Sequence, residues 1–178
     1  MARRRSPAPD AVDLILEQWA RQDPELDASA MAVFGRLHRS FLRYQAQLAR
    51  VFEEHGITMA AFDVLAALRR SGPPFRQTMG DLAGITLVTS GGITQRVDRL
   101  ESAGLVAREK DAHDGRVVHV QLTDEGRALI DRVTRAHFAN EKEMLAGLGE
   151  TEQRQLAKLL RLLERSLEDS EVRSASSA

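Results

Sequence analysis

Hydrophobic residues recur at helical spacing along most of the chain and alternate with polar residues in one short region. Seven segments have the helical period, and they are residues 10–21, 27–55, 58–70, 78–84, 86–103, 123–146 and 151–168. Only residues 105–122 have the two-residue period of strands, because Val118, Val120 and Leu122 alternate with His119 and Gln121. The pattern therefore predicts a mainly α protein with one small β-hairpin.

The order of these elements along the chain predicts the fold. Three short helices followed directly by a hairpin are the order of a winged helix-turn-helix, with the hairpin as its wing. One short and one long helix precede this unit, and two more helices follow it. The leading helix is too short to be stable alone, and Trp19, the only tryptophan, is its expected anchor.

Composition bounds the type of binding partner. Apolar residues make up 43% of the 178 residues and charged residues 29%, which is typical of a globular protein. The 25 basic and 26 acidic residues give a net charge of -1. Bulk positive charge therefore does not attract this chain to nucleic acid, whereas a local basic patch on an acidic body remains compatible with DNA binding.

Residue types that the chain lacks argue against several other functions. Without cysteine there is no disulfide, thiolate catalysis or cysteine-ligated zinc. The sequence has no Gly-rich phosphate loop, HExxH helix or nucleophile elbow, and His113 and His119 by themselves do not make a metal site. No apolar segment has membrane-spanning length. We therefore expect a cytoplasmic protein without enzymatic activity, metal or cofactor.

The segment from Thr89 to Ala103 has the features of a helix that enters the major groove of DNA. Thr89 can cap it, Gly91 and Gly92 leave its first turn without bulky side chains, and a helical wheel places Gln95 opposite the buried face. Small residues at a helix N-terminus let the backbone approach phosphates, and Thr and Gln reach base edges. An ordinary solvent-exposed face is the alternative, although two glycines in a first turn reduce the stability of a purely structural helix.

The predicted hairpin turn places a cation next to this helix. In Asp114-Gly115-Arg116 the carboxylate lies two residues from the guanidinium and can orient it. An arginine at a wing tip suits the narrow minor groove, where negative potential is concentrated. A surface Asp–Arg pair of little consequence is the other interpretation of the same residues.

Together these motifs resemble the core of MarR-family transcriptional regulators. The matching pieces are Val97-Asp98-Arg99-Leu100-Glu101, Gly104-Leu105-Val106, Asp114-x-Arg116 and Leu122-Thr123-Asp124-Glu125-Gly126. The resemblance implies a homodimer whose two winged domains bind a pseudo-palindromic operator in double-stranded DNA. The residues that it places at the DNA are Thr89, Ser90, Gly91, Thr94, Gln95, Arg99 and Arg116.

The resemblance also divides the chain into regions. It implies an N-terminal arm and extra helix at 1–26, a helical dimerisation region at 27–56 and 123–170, a winged helix-turn-helix DNA-binding domain at 57–122, and a frayed tail at 171–178. The leucine stripe of the last helix fits a dimer interface independently, and an intramolecular core is its alternative. That stripe consists of Leu156, Leu159, Leu160, Leu163 and Leu167.

The extra N-terminal helix is similar to that of the urate-responsive, PecS-like subgroup. Matched motif by motif, the subgroup's ligand-linked residues fall on Trp19, Asp63, Arg96 and Arg108. The helical wheel supports part of this, because Arg96 lies at the flank of the buried face and Asp63 interrupts an apolar helix. A planar anion such as urate or a related purine suits arginine forks beside an indole. A structural Asp63–Arg96 pair is the alternative.

The sequence-based hypothesis is a probable repressor that a small anionic ligand releases from DNA. The ligand engages Arg96 and Trp19, its charge opposes Asp63, and the DNA-binding helix shifts. A MarR-type regulator that responds to phenolic acids or antibiotics keeps the fold and changes the ligand. A helical adaptor dimer that does not bind DNA is the alternative of another class.

Overall fold

The computed structural model describes residues 8–85, 92–111 and 114–176. Within these ranges seven helices and three strands follow one another in chain order. They are α1 Ala11–Gln22, α2 Met31–Glu54, α3 Met59–Arg70, β1 Arg76–Thr78, α4 Met79–Ile85, α5 Ile93–Ser102, β2 Val106–Lys110, β3 Val118–Leu122, α6 Asp124–Met144 and α7 Glu150–Ser176. The fold is therefore mainly α with a small sheet, as predicted.

The sheet has one strand more than the sequence pattern indicated. β3 lies in the centre, with β2 antiparallel to it on one side and β1 antiparallel to it on the other. Both Gln77 of β1 and Arg108 of β2 pair with Val120. The prediction of a single hairpin was incomplete, because a three-residue strand is too short to show a period.

A hydrophobic core joins the sheet to the helices of the winged unit. Its fully buried members come from α3, α4, α5, β3 and α6, and they include Val64, Leu65, Leu68, Leu82, Val97, Val120 and Ile130. A second, smaller core of Leu48, Phe52 and Val133 connects α2 to α6. Phe62 and Leu129 pack against both cores, so the winged unit and the long helices form one continuous interior.

Threonine caps occur at the first residue of three predicted helical segments. The Thr58 hydroxyl accepts a hydrogen bond from the Ala61 amide, and the Thr123 hydroxyl accepts one from Gly126. The Thr78 hydroxyl accepts from the Asp81 amide and donates to the Asp81 carboxylate, which closes the first turn of α4. These local signals confirm the start positions of α3, α4 and α6.

Two helix ends differ from their predicted positions. α2 begins at Met31 and not at Asp27, because Asp27 accepts a hydrogen bond from the Ser29 amide and holds these residues in a turn. α7 continues to Ser176, so residues 171–176 of the predicted frayed tail are helical. Ser and Ala interrupt the leucine stripe there, yet neither residue type prevents a helix from continuing.

Val12 anchors α1, whereas the sequence suggested Trp19. Val12 is 1% exposed and Trp19 46% exposed. The Val12 methyl groups lie 3.2–3.3 Å from the position that a Cβ on Gly35 would occupy, so this glycine lets α1 approach α2 closely. The guanidinium of Arg36 then bonds Asp10 and Asp13 at the start of α1. The helix is therefore turned so that its tryptophan faces outward.

α2 and α7 expose an unusual amount of apolar surface in the single chain. Exposed side chains on α2 include Val33, Phe34, Leu37 and Phe41. On α7 the exposed leucines are Leu156, Leu159, Leu160, Leu162 and Leu167, and none of the described residues of this helix is buried. In the described ranges, no helix combines the length and apolar character needed to cross a membrane.

Candidate nucleic-acid interface and adjoining cleft

The candidate DNA-binding helix is α5, and it begins later than predicted. Gly92 is the N-cap of α5, with φ +93°. It has no side chain that could accept a hydrogen bond from the first turn of the helix. Glycine tolerates this left-handed backbone, which other residues adopt at a cost. The prediction that Gly92 lies in the first helical turn was therefore wrong, since the turn starts at Ile93. Thr89, Ser90 and Gly91, all predicted at the DNA, lie outside the described residues.

The two faces of α5 are those that the helical wheel predicted. Val97 and Leu100 are buried in the core of the winged unit. The predicted DNA-contacting residues Thr94, Gln95 and Arg99 are exposed. This face carries two hydrogen-bonding side chains and one cation, which is the chemistry that reaches base edges and phosphates.

Arg96 occupies the boundary between these faces and points back toward the protein. Its side chain is part-buried, and its Nη1 is fully buried with no hydrogen-bond partner among the described residues. A buried donor without a partner is costly, so such an atom marks a place where a ligand or water would be bound. The sequence-based prediction that Arg96 faces inward agrees with this placement.

A cleft of about 200 Å³ opens beside Arg96. One wall is the turn into α3 with its first helical residues, and the other is α5 and the loop after it. The lining residues are Gly56, Ile57, Thr58, Ala60, Ala61, Arg96, Arg99, Leu100, Ala103 and Leu105. Apart from the two arginines and Thr58, the lining is apolar or backbone, so the cleft offers cationic donors above a nonpolar floor.

The other three residues predicted at the ligand do not line this cleft. Asp63 is buried in α3 at 6% exposure, and Trp19 lies half-exposed on α1, which packs against α2. Arg108 is on β2, where its guanidinium bonds Asp98 and Glu101. Of the four predicted residues only Arg96 lines this cleft, and the ligand role of all four stays a prediction.

The wing presents Arg116 as the sequence predicted. Its side chain is 91% exposed, and its Nε and Nη2 lie 3.1 and 3.2 Å from the two carboxylate oxygens of Asp114. The hydrogen bonds from the Arg116 side chain, followed by the one from its backbone amide, lower the pKa of Asp114 below its ordinary value. The cation is thus oriented outward on the side of the wing turn.

A second carboxylate braces the base of the wing turn. Asp111 Oδ1 accepts a hydrogen bond from the Asp114 amide, and Asp111 Oδ2 lies 3.0 Å from His119 Nε2. Sequence reasoning missed this pair. The available signal was an acidic residue just after β2 and a histidine in β3, but their approach depends on a register that only the folded hairpin defines.

Sequence reasoning also missed a buried polar cluster between α2 and α6. The Tyr44 hydroxyl donates to Glu141 Oε1 at 2.8 Å, and His137 Nε2 is 3.4 Å from the same oxygen. The rings of Phe52 and Phe62 pack around His137. Desolvation, followed by the bond to Glu141, raises the pKa of Tyr44 to about 12. The spacing of His137 and Glu141, one helical turn apart, was the only sequence signal.

No metal site is present in residues 8–85, 92–111 and 114–176, where no three His, Asp or Glu side chains are arranged to hold an ion. The described residues provide an exposed polar face on α5, the outward-pointing Arg116 on the wing, and a cleft with arginine donors behind α5. This arrangement can bind a nucleic-acid duplex on one side and a small anion on the other.

Comparison with known proteins gives the family of this chain. A sequence profile of the MarR family matches residues 55–117. The HTH-type transcriptional regulator PecS of Dickeya dadantii is 38% identical over 153 residues, which cover 86% of this chain and 92% of PecS. The curated relatives are transcriptional regulators, in agreement with the prediction that the chain is not an enzyme.

Solved structures agree with this assignment. Sco3205, a MarR-family regulator from Streptomyces coelicolor in complex with DNA, superposes with a TM-score of 0.71 at 26% identity and covers 82% of this chain and 92% of its own. BpsR of Bordetella bronchiseptica, whose DNA binding is regulated by 6-hydroxynicotinic acid, superposes with a TM-score of 0.67 at 27% identity and covers 76% of this chain and 94% of its own. The chain belongs to the MarR family of DNA-binding transcriptional regulators.

Proposed function

We propose that this regulator is a homodimeric repressor that leaves its operator when a small anionic ligand, urate or a related purine, occupies the cleft at Arg96. The observation that carries the proposal is the fully buried Arg96 Nη1, which has no partner among the described residues and belongs to the candidate DNA-binding helix. A ligand that bonds this atom acts directly on the element that contacts DNA.

The DNA-binding surface in this proposal consists of the exposed side of α5 and the wing. Thr94 and Gln95 contact base edges in the major groove, Arg99 contacts a phosphate, and Arg116 enters the adjacent minor groove. Their exposure supports this assignment. Thr89, Ser90 and Gly91 remain expected contacts at the start of the same segment.

The dimer in this proposal forms through α2 and α7. An apolar groove of about 480 Å³ lies between them, lined by residues such as Val33, Leu37, Leu159 and Leu163. A 27-residue helix with an exposed leucine stripe and no buried residue is not stabilised by its own chain. A second copy of the same two helices would cover both faces, as a two-fold interface requires.

The ligand chemistry follows from the cleft. Arginine forks bind planar carboxylates and similar anions in a bidentate manner, and the apolar floor favours a flat aromatic ring. The 38% identity to PecS supports the predicted subgroup, and the regulation of BpsR by 6-hydroxynicotinic acid is a case of a planar aromatic acid acting on a protein of this fold. Urate combines a planar ring with a negative charge.

The proposed mechanism is a shift between two conformations. A ligand bound at Arg96 pulls on α5, so the DNA-competent position of α5 becomes less favourable. Charge repulsion from Asp63 and stacking on Trp19 stay predictions, because neither residue lines the cleft in the single chain. A tenfold loss of operator affinity requires only about 1.4 kcal/mol of differential ligand affinity between the two conformations.

The test is fluorescence anisotropy on duplex DNA from upstream of the protein's own gene, at fixed salt, with urate, 6-hydroxynicotinate and salicylate added separately. We expect urate to release the wild-type protein. Arg96→Met should bind the same DNA and lose most of the urate response. Arg70→Met, which removes an exposed arginine from α3, is the matched control and should respond as the wild type does.

Each outcome has a defined meaning. Release by 6-hydroxynicotinate or salicylate, but not by urate, would replace the purine by an aromatic acid and keep the site. A full urate response in Arg96→Met would reject the site. If salt-dependent binding to that DNA is absent, a selection from random duplexes defines the operator before the ligand arms are repeated.

A further inference from the structure

Arg108 joins the wing to the candidate DNA-binding helix. From β2, its Nη1 lies 2.6 Å from Asp98 Oδ1 and 2.9 Å from Glu101 Oε2, and its Nη2 donates to the Thr94 carbonyl oxygen at 3.3 Å. The backbone amide of Arg108 donates to the other carboxylate oxygen of Glu101 at 3.2 Å. One residue of the wing thus bonds three residues on successive turns of α5.

We propose that Arg108 is a positioning residue for operator recognition, which fixes the wing relative to α5. The proposal rests on the proposed roles of α5 and the wing tip at DNA. Arg116 and the Thr94–Gln95 face must fit adjacent grooves at the same time, so their separation has to be maintained closely. Hydrophobic contacts between α5 and β2 are not directional, whereas the planar guanidinium fork holds two carboxylates in a defined geometry.

Arg108 also neutralises charge that would repel DNA. The Asp98 side chain is 53% exposed and lies on the outer side of α5 with Gln95, where phosphates would approach. A carboxylate in that position opposes binding to any duplex, specific or not. Its ion pair with Arg108, whose own side chain is only 25% exposed, reduces this repulsion.

The same contacts separate the roles of the two arginines that the sequence assigned to the ligand. Arg96 has a buried nitrogen without a hydrogen-bond partner in the described part of the chain, while the guanidinium of Arg108 already bonds two carboxylates and a carbonyl. An anionic ligand at Arg108 would have to displace both carboxylates. We therefore assign ligand response to Arg96 and alignment of the DNA-binding elements to Arg108.

The experiment compares affinity for the operator with affinity for an unrelated duplex of the same length. Arg108→Ala should reduce the ratio of the two affinities about tenfold. Arg108→Lys keeps the positive charge but lacks the planar guanidinium fork. Compared with Arg108→Ala, it should therefore recover more of the affinity for both duplexes than of the ratio between the two affinities. The control is Lys110→Ala, which removes one positive charge from the same strand and should weaken both duplexes about equally, with the ratio preserved.

A double-mutant cycle tests the proposed partner. Glu101→Gln should reduce the ratio in the wild-type background and should have little further effect in Arg108→Ala, because the pair is already broken. Equal, independent effects in the two backgrounds would overturn the positioning role. The positioning role would also be overturned by an Arg108→Ala protein that keeps its affinity ratio and loses only its response to urate, because Arg108 would then act on the ligand.

A readout without DNA separates this inference from the proposed function. Amide hydrogen exchange in residues 93–102 and 106–110 should become faster in Arg108→Ala and Arg108→Lys, and stay unchanged in Lys110→Ala. Unchanged exchange in both Arg108 variants would reject the connection between wing and helix. Faster exchange with no effect on the affinity ratio would retain that connection and reject its role in operator recognition.

Discussion

Individual polar atoms in this molecule have very different surroundings, and this decides which of them can respond to a ligand or to pH. The Arg96 Nη1 and the Arg108 guanidinium belong to the same residue type, yet one lacks a partner and the other bonds three residues of α5. Tyr44 is held in a similarly defined way, with its hydroxyl on a carboxylate of α6. Because these side chains differ in their partners, each substitution is expected to have its own measurable effect.

Tyr44 should titrate well above an ordinary tyrosine. Its pKa is raised from the ordinary 10.0 to about 12, so the protonated form stabilises the fold below pH 10 and this contribution is lost as pH rises toward 12. Because Tyr44 is the only tyrosine, tyrosinate absorbance in native and denaturant-unfolded protein measures both values directly. Tyr44→Phe should abolish the signal, and a native midpoint near 10 would contradict the prediction.

Gly126 permits the close approach of α6 to the start of β2. A Cβ at this position would lie 1.9 Å from the Leu105 carbonyl oxygen, so Gly126→Ala should force the backbone apart and lower the free energy of unfolding by about 1–3 kcal/mol. Gly80→Ala, also in a first helical turn, would place its Cβ at an ordinary contact distance of 3.8 Å from the Thr78 hydroxyl oxygen and should stabilise by up to about 1 kcal/mol. Urea denaturation measures both, and equal effects would refute this explanation.

Whole elements are held in this fold by quite different means. α3 contributes six buried residues to the interior and cannot move without disturbing the core. α1 is attached to α2 mainly through Val12 and the bonds of Arg36 to two carboxylates. Elements that depend on a few exposed ion pairs separate at lower cost than elements buried in a core.

Acid should release α1 before the rest of the fold. Backbone hydrogen bonds at the helix start, then the bonds to Arg36, lower the pKa of both Asp10 and Asp13 below the ordinary value of 3.8. Their stabilisation is complete above that value and is lost as pH falls below it through the lowered folded pKa. Fluorescence of Trp19, the sole tryptophan, reports the change, while circular dichroism follows the remaining helices.

Two variants test whether Arg36 determines the acid transition of α1. Arg36→Met removes the cation and should shift the acid transition of Trp19 fluorescence to higher pH, whereas Arg21→Met, on α1 itself, should leave it in place. Coincident transitions by fluorescence and circular dichroism in all three proteins would show that α1 does not separate independently.

At the scale of the whole molecule, the distribution of apolar surface supports the proposed site of dimerisation. The winged unit buries most of its apolar residues, while α2 and α7 expose many of theirs, some of them along the groove between the two helices. DNA binding and dimerisation are therefore proposed for different parts of the chain. The cleft at Arg96 lies on the winged unit, next to the turn that follows α2.

Leu160→Glu should prevent dimerisation, because it places a charge in the leucine stripe of α7. Lys158→Glu introduces the same side chain on the opposite side of the helix and should leave the dimer intact. Sedimentation equilibrium measures the mass of each protein, with a wild-type mass of twice 19.8 kDa expected. A monomeric wild type would reject the interface, and a dimeric Leu160→Glu would place it elsewhere.

Local signals in the sequence were sufficient for much of this fold. Thr58, Thr78 and Thr123 begin their helices as predicted because capping involves only residues two or three positions apart. The 3.6-residue period likewise identified the buried and exposed faces of α5, including the inward position of Arg96. The turn at Asp114 and Arg116 is local for the same reason.

Tertiary structure decided what depends on residues distant in the chain. The sequence predicted Trp19 as the anchor of α1, but the close approach of Val12 to Gly35 determines how that helix docks. Strand β1 forms because it hydrogen-bonds to the edge of β3. Arg108 meets Asp98 only when β2 lies beside α5. The sequence by itself determined the helices, the wing and the family, since these follow from local periodicity and motifs. The folded chain determined that the Arg108 guanidinium bonds α5 while the Arg96 Nη1 is buried without a hydrogen-bond partner among the described residues, because burial and pairing are properties of the packed structure.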